Sequence, residues 1–261
     1  MSCVASREYK LILKADPFAD RPAGVDRFWL AFQTLASDLG LQVTGALSEL
    51  VKREVVFLDT PDHDLLKAGY ILRRRIDLKS GKPARTKVML KYRSPDRYIA
   101  WGGDVSTPTL KGETKFEEDI VPPFRSQFSH STSAVVESAN WQTIGDLVTH
   151  FPGVSALELP ATKRLAVVNQ FVAKEFVQRG ALIDFGKQEA EISLTAWYVD
   201  PDSQKQPSVV EFSFAYGDDS EDFSARSALR AKQLFDGLQA LEAWYDPKAI
   251  TKTQFAYQYP G

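Results

Sequence analysis

Several stretches of this chain place charged side chains two residues apart, the spacing at which a β-strand puts them on one face. In Ser6-Arg7-Glu8-Tyr9-Lys10-Leu11-Ile12-Leu13, Glu8 and Lys10 share a face while Tyr9, Leu11 and Leu13 share the other. In Tyr70-Ile71-Leu72-Arg73-Arg74-Arg75-Ile76, Arg73 and Arg75 oppose Tyr70, Leu72 and Ile76, and Arg74 is the exception. Lys91 and Arg93 oppose Val88, Leu90 and Tyr92; Lys115, Glu117 and Asp119 oppose Phe116 and Ile120; Glu211 and Ser213 oppose Val210, Phe212, Phe214 and Tyr216. Arginine and lysine at this spacing on consecutive strands suit a compact polyanion, because guanidinium forks match the geometry of closely spaced phosphate oxygens. Carboxylates do not bind phosphate, so the acids among them need another purpose.

Two architectures give such alternation. An antiparallel sheet with one solvated face does so by default. A closed barrel that packs its outside against helices also does so, and then the inward charges must be paired or must hold ions and ligand. The polar faces here are almost all Arg, Lys, Glu and Asp, with little of the Thr, Ser and Gln that fills solvated sheets, which favours the barrel. An entire lining of neutralising ion pairs stabilises poorly for the desolvation it requires, so it points to a ligand.

The elements that must position these faces are readable from the apolar pattern. Val25, Phe28, Trp29, Phe32, Leu35, Ala36 and Leu39 recur at helical spacing, and their aromatics read as packing against a barrel wall. A short helix is expected over 62–68, capped by Asp62 and ended at Gly69. Another covers 141–151, and a long last one runs over 221–245 before Asp246-Pro247. The Ser/Thr-rich segment 124–138 reads as a mobile crossover between the halves of the barrel. Strands separated by such helices fit an α+β barrel rather than a parallel doubly wound sheet.

Composition sets outer limits. The 261 residues show no Pro/Ser/Gly-rich linker and are expected to form one domain over 1–261, with 44% apolar and 25% charged residues describing a globular protein with ample core. A formal net charge of −2 argues against a nucleic-acid coat, so a basic patch must be local. The lone Cys3 excludes a disulfide framework and suggests a reducing compartment, and no apolar run approaches a membrane span, so a cytoplasmic location without membrane association is expected. No Gly-rich phosphate loop, dinucleotide fingerprint or serine elbow is present, and His63, His130 and His150 are too isolated to form a zinc site.

The order of the charged segments resembles the CYTH family, the triphosphate tunnel metalloenzymes. The family phrase of Asp-Thr-Pro, a leucine, a glycine and Leu-Arg-x-Arg is matched by Asp59-Thr60-Pro61, Leu65, Gly69 and Leu72-Arg73-Arg74-Arg75, and Leu-Lys-x-Arg by Leu90-Lys91-Tyr92-Arg93. The opening Glu, Glu, Lys alternation falls on Ser6, Glu8 and Lys10, and the late Glu-x-Glu on Glu211 and Ser213, so one acid is missing from each. The resemblance implies a closed antiparallel β-barrel of about eight strands with helices outside. It also implies a phosphohydrolase using Mg²⁺ or Mn²⁺ on a small triphosphate or polyphosphate: inorganic triphosphate, thiamine triphosphate or a nucleoside triphosphate. Lys10, Arg73, Arg75, Lys91, Arg93, one of Lys163 and Arg164, and Lys252 would then hold phosphate, while Glu8, Glu117, Asp119 and Glu211 would serve the metal and the chemistry. Should those acids not suffice, Asp184, Glu189 or Glu191 would have to complete the site. A polyphosphate or nucleotide sensor that has lost catalysis with the acids at Ser6 and Ser213, or a class IV adenylate cyclase-like enzyme, are the alternatives.

Overall fold

The computed structural model describes residues 4–199, 206–217 and 223–260; Cys3 lies outside them. Among these residues, ten strands hydrogen-bond into one sheet, in the order β3-β4-β6-β5-β1-β10-β9-β8-β2-β7. The strands are β1 (Ser6–Leu13), β2 (Gln42–Asp59), β3 (Tyr70–Lys79), β4 (Lys82–Ser94), β5 (Gly112–Val121), β6 (Arg125–Val136), β7 (Ala166–Val167), β8 (Ala173–Asp184), β9 (Glu189–Tyr198) and β10 (Val209–Gly217). β2 also pairs with β3, so nine strands close into a ring and β7 hangs from β2 as a short outer rung.

The ring corrects the expected antiparallel barrel in two ways. It has nine strands, and it is mixed: β1 runs antiparallel to β10 but parallel to β5, with Ser6 opposite Glu117 and Glu8 opposite Asp119. β2 pairs with β8 along one edge and with β3 along the other, and its register against β8 shifts after Gly45, whose φ of 72° is left-handed. A Cβ at Gly45 would meet the Gly180 carbonyl oxygen at 2.2 Å, so this crossing requires glycine.

The apolar faces point outward and are covered by helices. α1 (Arg21–Asp38) and α5 (Ala225–Gln239) lay Val25, Phe28, Phe32, Leu234, Phe235 and Leu238 over Tyr9, Leu11, Phe212, Phe214 and Ile192, forming the largest buried cluster. On the opposite side α4 (Ile144–His150) sets Ile144 and Leu147, with Phe151, against Leu72, Val88 and Leu90. Phe116, Phe212 and Phe214 are core, as expected. α3 (Arg97–Gly102) covers Phe116 beside β6.

Three local expectations change. The segment 124–138 is not a crossover: Arg125–Val136 is a strand paired with both β4 and β5. Its serines alternate, with Ser129 and Ser131 buried, and small hydroxyls there leave the interior of the ring open where β4 and β5 bring long charged chains. The last long helix ends at Gln239, well short of 245, and starts at the Ser224 cap; residues 221–222 of the expected span lie outside the described residues.

The third concerns α2 (Asp64–Lys67), where Asp62 is not the cap. The Asp59 carboxylate accepts hydrogen bonds from the backbone N–H of Thr60, Leu65 and Leu66, and Thr60 Oγ1 accepts from Asp64 N–H. Tyr257, on α6 (Lys252–Gln258), donates its hydroxyl to the same Asp59 at 3.0 Å. Asp59 is thus a buried acceptor hub that ties α2, the helix before the arginine strand, to α6.

Candidate functional site: a charged tunnel

The inward faces of the ring enclose a cavity of about 680 Å³. Its lining carries nine cationic side chains (Lys10, Arg73, Arg75, Lys87, Lys91, Arg93, Lys115, Arg125, Lys252) against six acidic ones (Glu8, Glu113, Glu117, Asp119, Glu211, Asp246). On a protein with a formal net charge of −2, that excess of positive charge is local. At one end the inward face turns apolar: Val55, Phe57, Ile71, Ala173, Trp197 and Val209 pack with Phe171 and with Ala256 and Tyr257 of α6, forming a plug.

The strand register decides which charges meet. Glu8 and Asp119 are neighbours across the parallel pair, and the Lys10 ammonium sits between them, 2.8 Å from Glu8 Oε2 and 2.8 Å from Asp119 Oδ1. The other oxygen of Asp119 accepts from Arg93 Nη2 at 3.0 Å. Lys91 lies 3.7 Å from Glu117, whose Oε1 also accepts from the Ser6 hydroxyl at 3.1 Å. Lys252 reaches from α6 to Glu211 at 2.7 Å, with its ammonium 5.4 Å from the centre of the Trp197 ring.

Burial and pairing set the protonation of these groups. Burial alone would push the Lys10 ammonium down, but Asp119 and Glu8 more than reverse this and hold it above its ordinary value. Burial likewise opposes the charge on Asp119, yet Lys10, Lys91 and Arg93 bring its carboxyl well below the usual range. Glu8 ends lowered, with Lys10 outweighing burial and the repulsion from Asp119. Lys91 goes the other way: burial, together with Arg93 and Lys10, pushes it down to about 8.

The arginines of β3 differ from all of these. Among the described residues Arg73 and Arg75 form no ion pair, and the Nε of each is buried without a hydrogen-bond partner. Among the described residues Arg73 donates to the Met89 sulfur alone, at 3.3 Å. Burial and the charge of Arg75 lower it to about 9, with Glu175 opposing them, so it keeps its charge at neutral pH. Arg75 is lowered by burial against the attraction of Glu175. Arg74 points outward, where Nη1 donates to the Ala139 carbonyl at 3.2 Å.

Of the residues singled out from sequence, Glu8, Lys10, Arg73, Arg75, Lys91, Arg93, Glu117, Asp119, Glu211 and Lys252 come together on this lining. Lys163 and Arg164 do not. Lys163 is at the surface on Asp62 and Asp64, and exposed Arg164 bridges to Thr143, because their segment precedes β7 outside the ring. The fallback acids are also elsewhere: Asp184 accepts from Gly186 N–H at the turn after β8, and Glu189 and Glu191 are exposed on β9.

Several groups inside the ring escaped the sequence reading, among them Glu113, Arg125 and Asp246 on the lining and the pair Glu175 and Arg53. Glu175 is buried, held by the Trp197 indole N–H at 3.0 Å and by Arg53 Nη1 at 3.3 Å; burial raises its carboxyl, but Arg75 and Lys252 bring it down to about 2. Arg53 also pairs with Asp77 at 3.2 Å. The signal lay in parity, since Arg53 shares a face with Val55 and Phe57.

Mg²⁺ takes oxygen ligands in near-octahedral geometry, usually one or two carboxylates with water and substrate phosphate. Every one of the four acids expected to serve a metal is already against an ammonium or guanidinium, and Asp119 is so on both oxygens. Among the described residues no three of His, Cys, Asp and Glu group as metal ligands. As paired here, the donor set does not fit a resident divalent cation at these four carboxylates.

No protein-family model and no curated protein matches the chain. Solved structures do match over nearly its full length. A protein from Hippeastrum, described as a candidate adenylyl cyclase with a dominant triphosphatase activity, is 14% identical, with 97% of this chain and 95% of that one covered and a TM-score of 0.48. A candidate adenylate cyclase from Bacillus halodurans is 13% identical over 98% and 99%, with a TM-score of 0.43. One from Vibrio parahaemolyticus is 13% identical over 97% and 98%, with a TM-score of 0.37. Such distant likenesses leave the function to be argued from the lining. No helix among the described residues is long and apolar enough to cross a membrane.

Proposed function

We propose that the tunnel binds a small triphosphate or polyphosphate and that residues 1–261 work as one unit that hydrolyses its terminal anhydride bond. The observation that carries this reading is the pair Arg73 and Arg75, half-buried on one face of β3, each with a buried Nε that has no hydrogen-bond partner and neither in an ion pair among the described residues, with Glu175 as the acid that acts on both. A buried guanidinium N–H without an acceptor is costly, and an anion with closely spaced oxygens supplies the acceptors. Lys91, Arg93 and Lys10 extend the cationic surface toward β1, and Lys252 closes it from α6.

The residues have distinct parts in the chemistry. Arg73 and Arg75 anchor the phosphates by bidentate contact, which positions the chain and offsets the charge on the phosphoryl group being transferred. Phosphate oxygens compete with Glu8 for the Lys10 ammonium, so binding frees the carboxylate of Glu8. Water then attacks the terminal phosphorus in line, its proton passes to Glu8, and the breaking P–O bond leaves its electrons on the departing phosphate. Glu117, Asp119 and Glu211 hold Lys91, Arg93 and Lys252 at the lining.

Phosphate release from tripolyphosphate, thiamine triphosphate and ATP tests this directly. Release from at least one of them, abolished in Arg73→Ala, is expected. Tight binding without release would leave the sensor reading, which the full engagement of the acids by cations favours; neither binding nor release would overturn both.

A further inference from the structure

We propose that this tunnel takes its polyphosphate as the metal-free anion, the Lys10 ammonium standing between Glu8 and Asp119 in the place a divalent cation would need. The inference rests on the anion-binding reading above and goes beyond it. It is carried by the way the acids are used. Asp119 has one oxygen on Lys10 and the other on Arg93, so a metal at this carboxylate must break an ion pair on either side. Glu8 has the same ammonium at 2.8 Å. Glu211 is committed to Lys252, and Glu117 to Lys91 and the Ser6 hydroxyl.

Charge balance points the same way. The lining already holds more cations than acids, so a doubly charged ion entering before the anion meets net repulsion in a space screened from water. Displacing the Lys10 ammonium would also require a new place for it beside Lys91 and Arg93, both cationic. The serines Ser6 and Ser213 share the inward face with Glu8 and Glu211 and add no charge that would restore the balance. By contrast, the unpartnered Nε donors of Arg73, Arg75 and Arg93 are suited to bare phosphate oxygens. Mg²⁺ chelated by the phosphates occupies those same oxygens, so it competes with the protein for them.

Isothermal titration of tripolyphosphate into the full chain, in EDTA and then in excess Mg²⁺, decides the matter. Binding in EDTA, weakened several-fold by Mg²⁺, is expected. Binding seen only with Mg²⁺, or tightened by it, would overturn this inference and leave the anion site standing; no binding in either buffer would overturn the anion site itself. Mn²⁺ titration followed by electron paramagnetic resonance, without phosphate, supplies a second readout. The native protein is expected to leave Mn²⁺ free, and Lys10→Ala, which exposes Glu8 and Asp119 to each other, to gain a site. Stoichiometric Mn²⁺ binding by the native protein would contradict the proposal.

Discussion

Lys91 is the side chain through which pH acts most directly on the tunnel. Its folded value of about 8 lies below the ordinary 10.5, chiefly because it is buried and has Arg93 and Lys10 for neighbours. An anion that touches it favours the charged form, so affinity for tripolyphosphate is expected to fall as pH rises through about 8 and to do so less in Lys91→Arg, whose charge persists. Isothermal titration at a series of pH values checks this, and an affinity unchanged across that window would contradict it. For stability the sign is the reverse of a salt-bridged lysine. Between about 8 and 10.5 the unfolded chain binds this proton more strongly than the folded one, so Lys91 makes folding more favourable as pH rises through that window.

At the scale of elements, the Asp59 hub links the end of β2 to α2 and α6, so the helix before the arginine strand and the helix of the plug depend on one carboxylate. Asp59→Ala leaves three backbone N–H donors and the Tyr257 hydroxyl without their acceptor. At about 1–3 kcal/mol for each buried group left unsatisfied, and with water entering to relieve part of it, the variant is expected to lose roughly 3 kcal/mol. Urea unfolding measures this, and a loss under about 1 kcal/mol would show that the hub is not needed. The Asp-Thr-Pro phrase was legible in the sequence, yet its role was not: the cap was assigned to Asp62, because a hydrogen-bond hub formed with residue 257 leaves no local signal.

The same contrast explains what else was read and missed. Strict alternation revealed the faces of β1, β3, β4, β5 and β10, since one apolar outer face repeats there against a charged inner one. Glu175 was hidden because Lys174 and Glu175 are both charged, and only the pairing with β2 and β9 shows which points inward. The serines of β6 mimic a loop in composition, although their small size is what lets a crowded interior keep its cavity. Lys163 and Arg164 were expected inside only from the resemblance, and the pairing of Lys163 with Asp62 and Asp64 outside the ring, set by how the chain returns past α2, leaves no local signal.

On the scale of the whole molecule, a mildly acidic protein gathers positive charge inside a nine-stranded ring, plugs one end with apolar side chains and α6, and leaves two arginines there outside any ion pair among the described residues. The central claim is that those arginines hold a polyphosphate. It is tested most directly by the affinity for tripolyphosphate of the native protein against Arg73→Ala and Arg74→Ala, measured by isothermal titration in one buffer. The expected result is a loss of about 1.5–3 kcal/mol at Arg73, the range for charge-assisted hydrogen bonds, with little change at Arg74, which faces outward. Equal losses at the two positions, or a native protein that does not bind tripolyphosphate, would contradict the account.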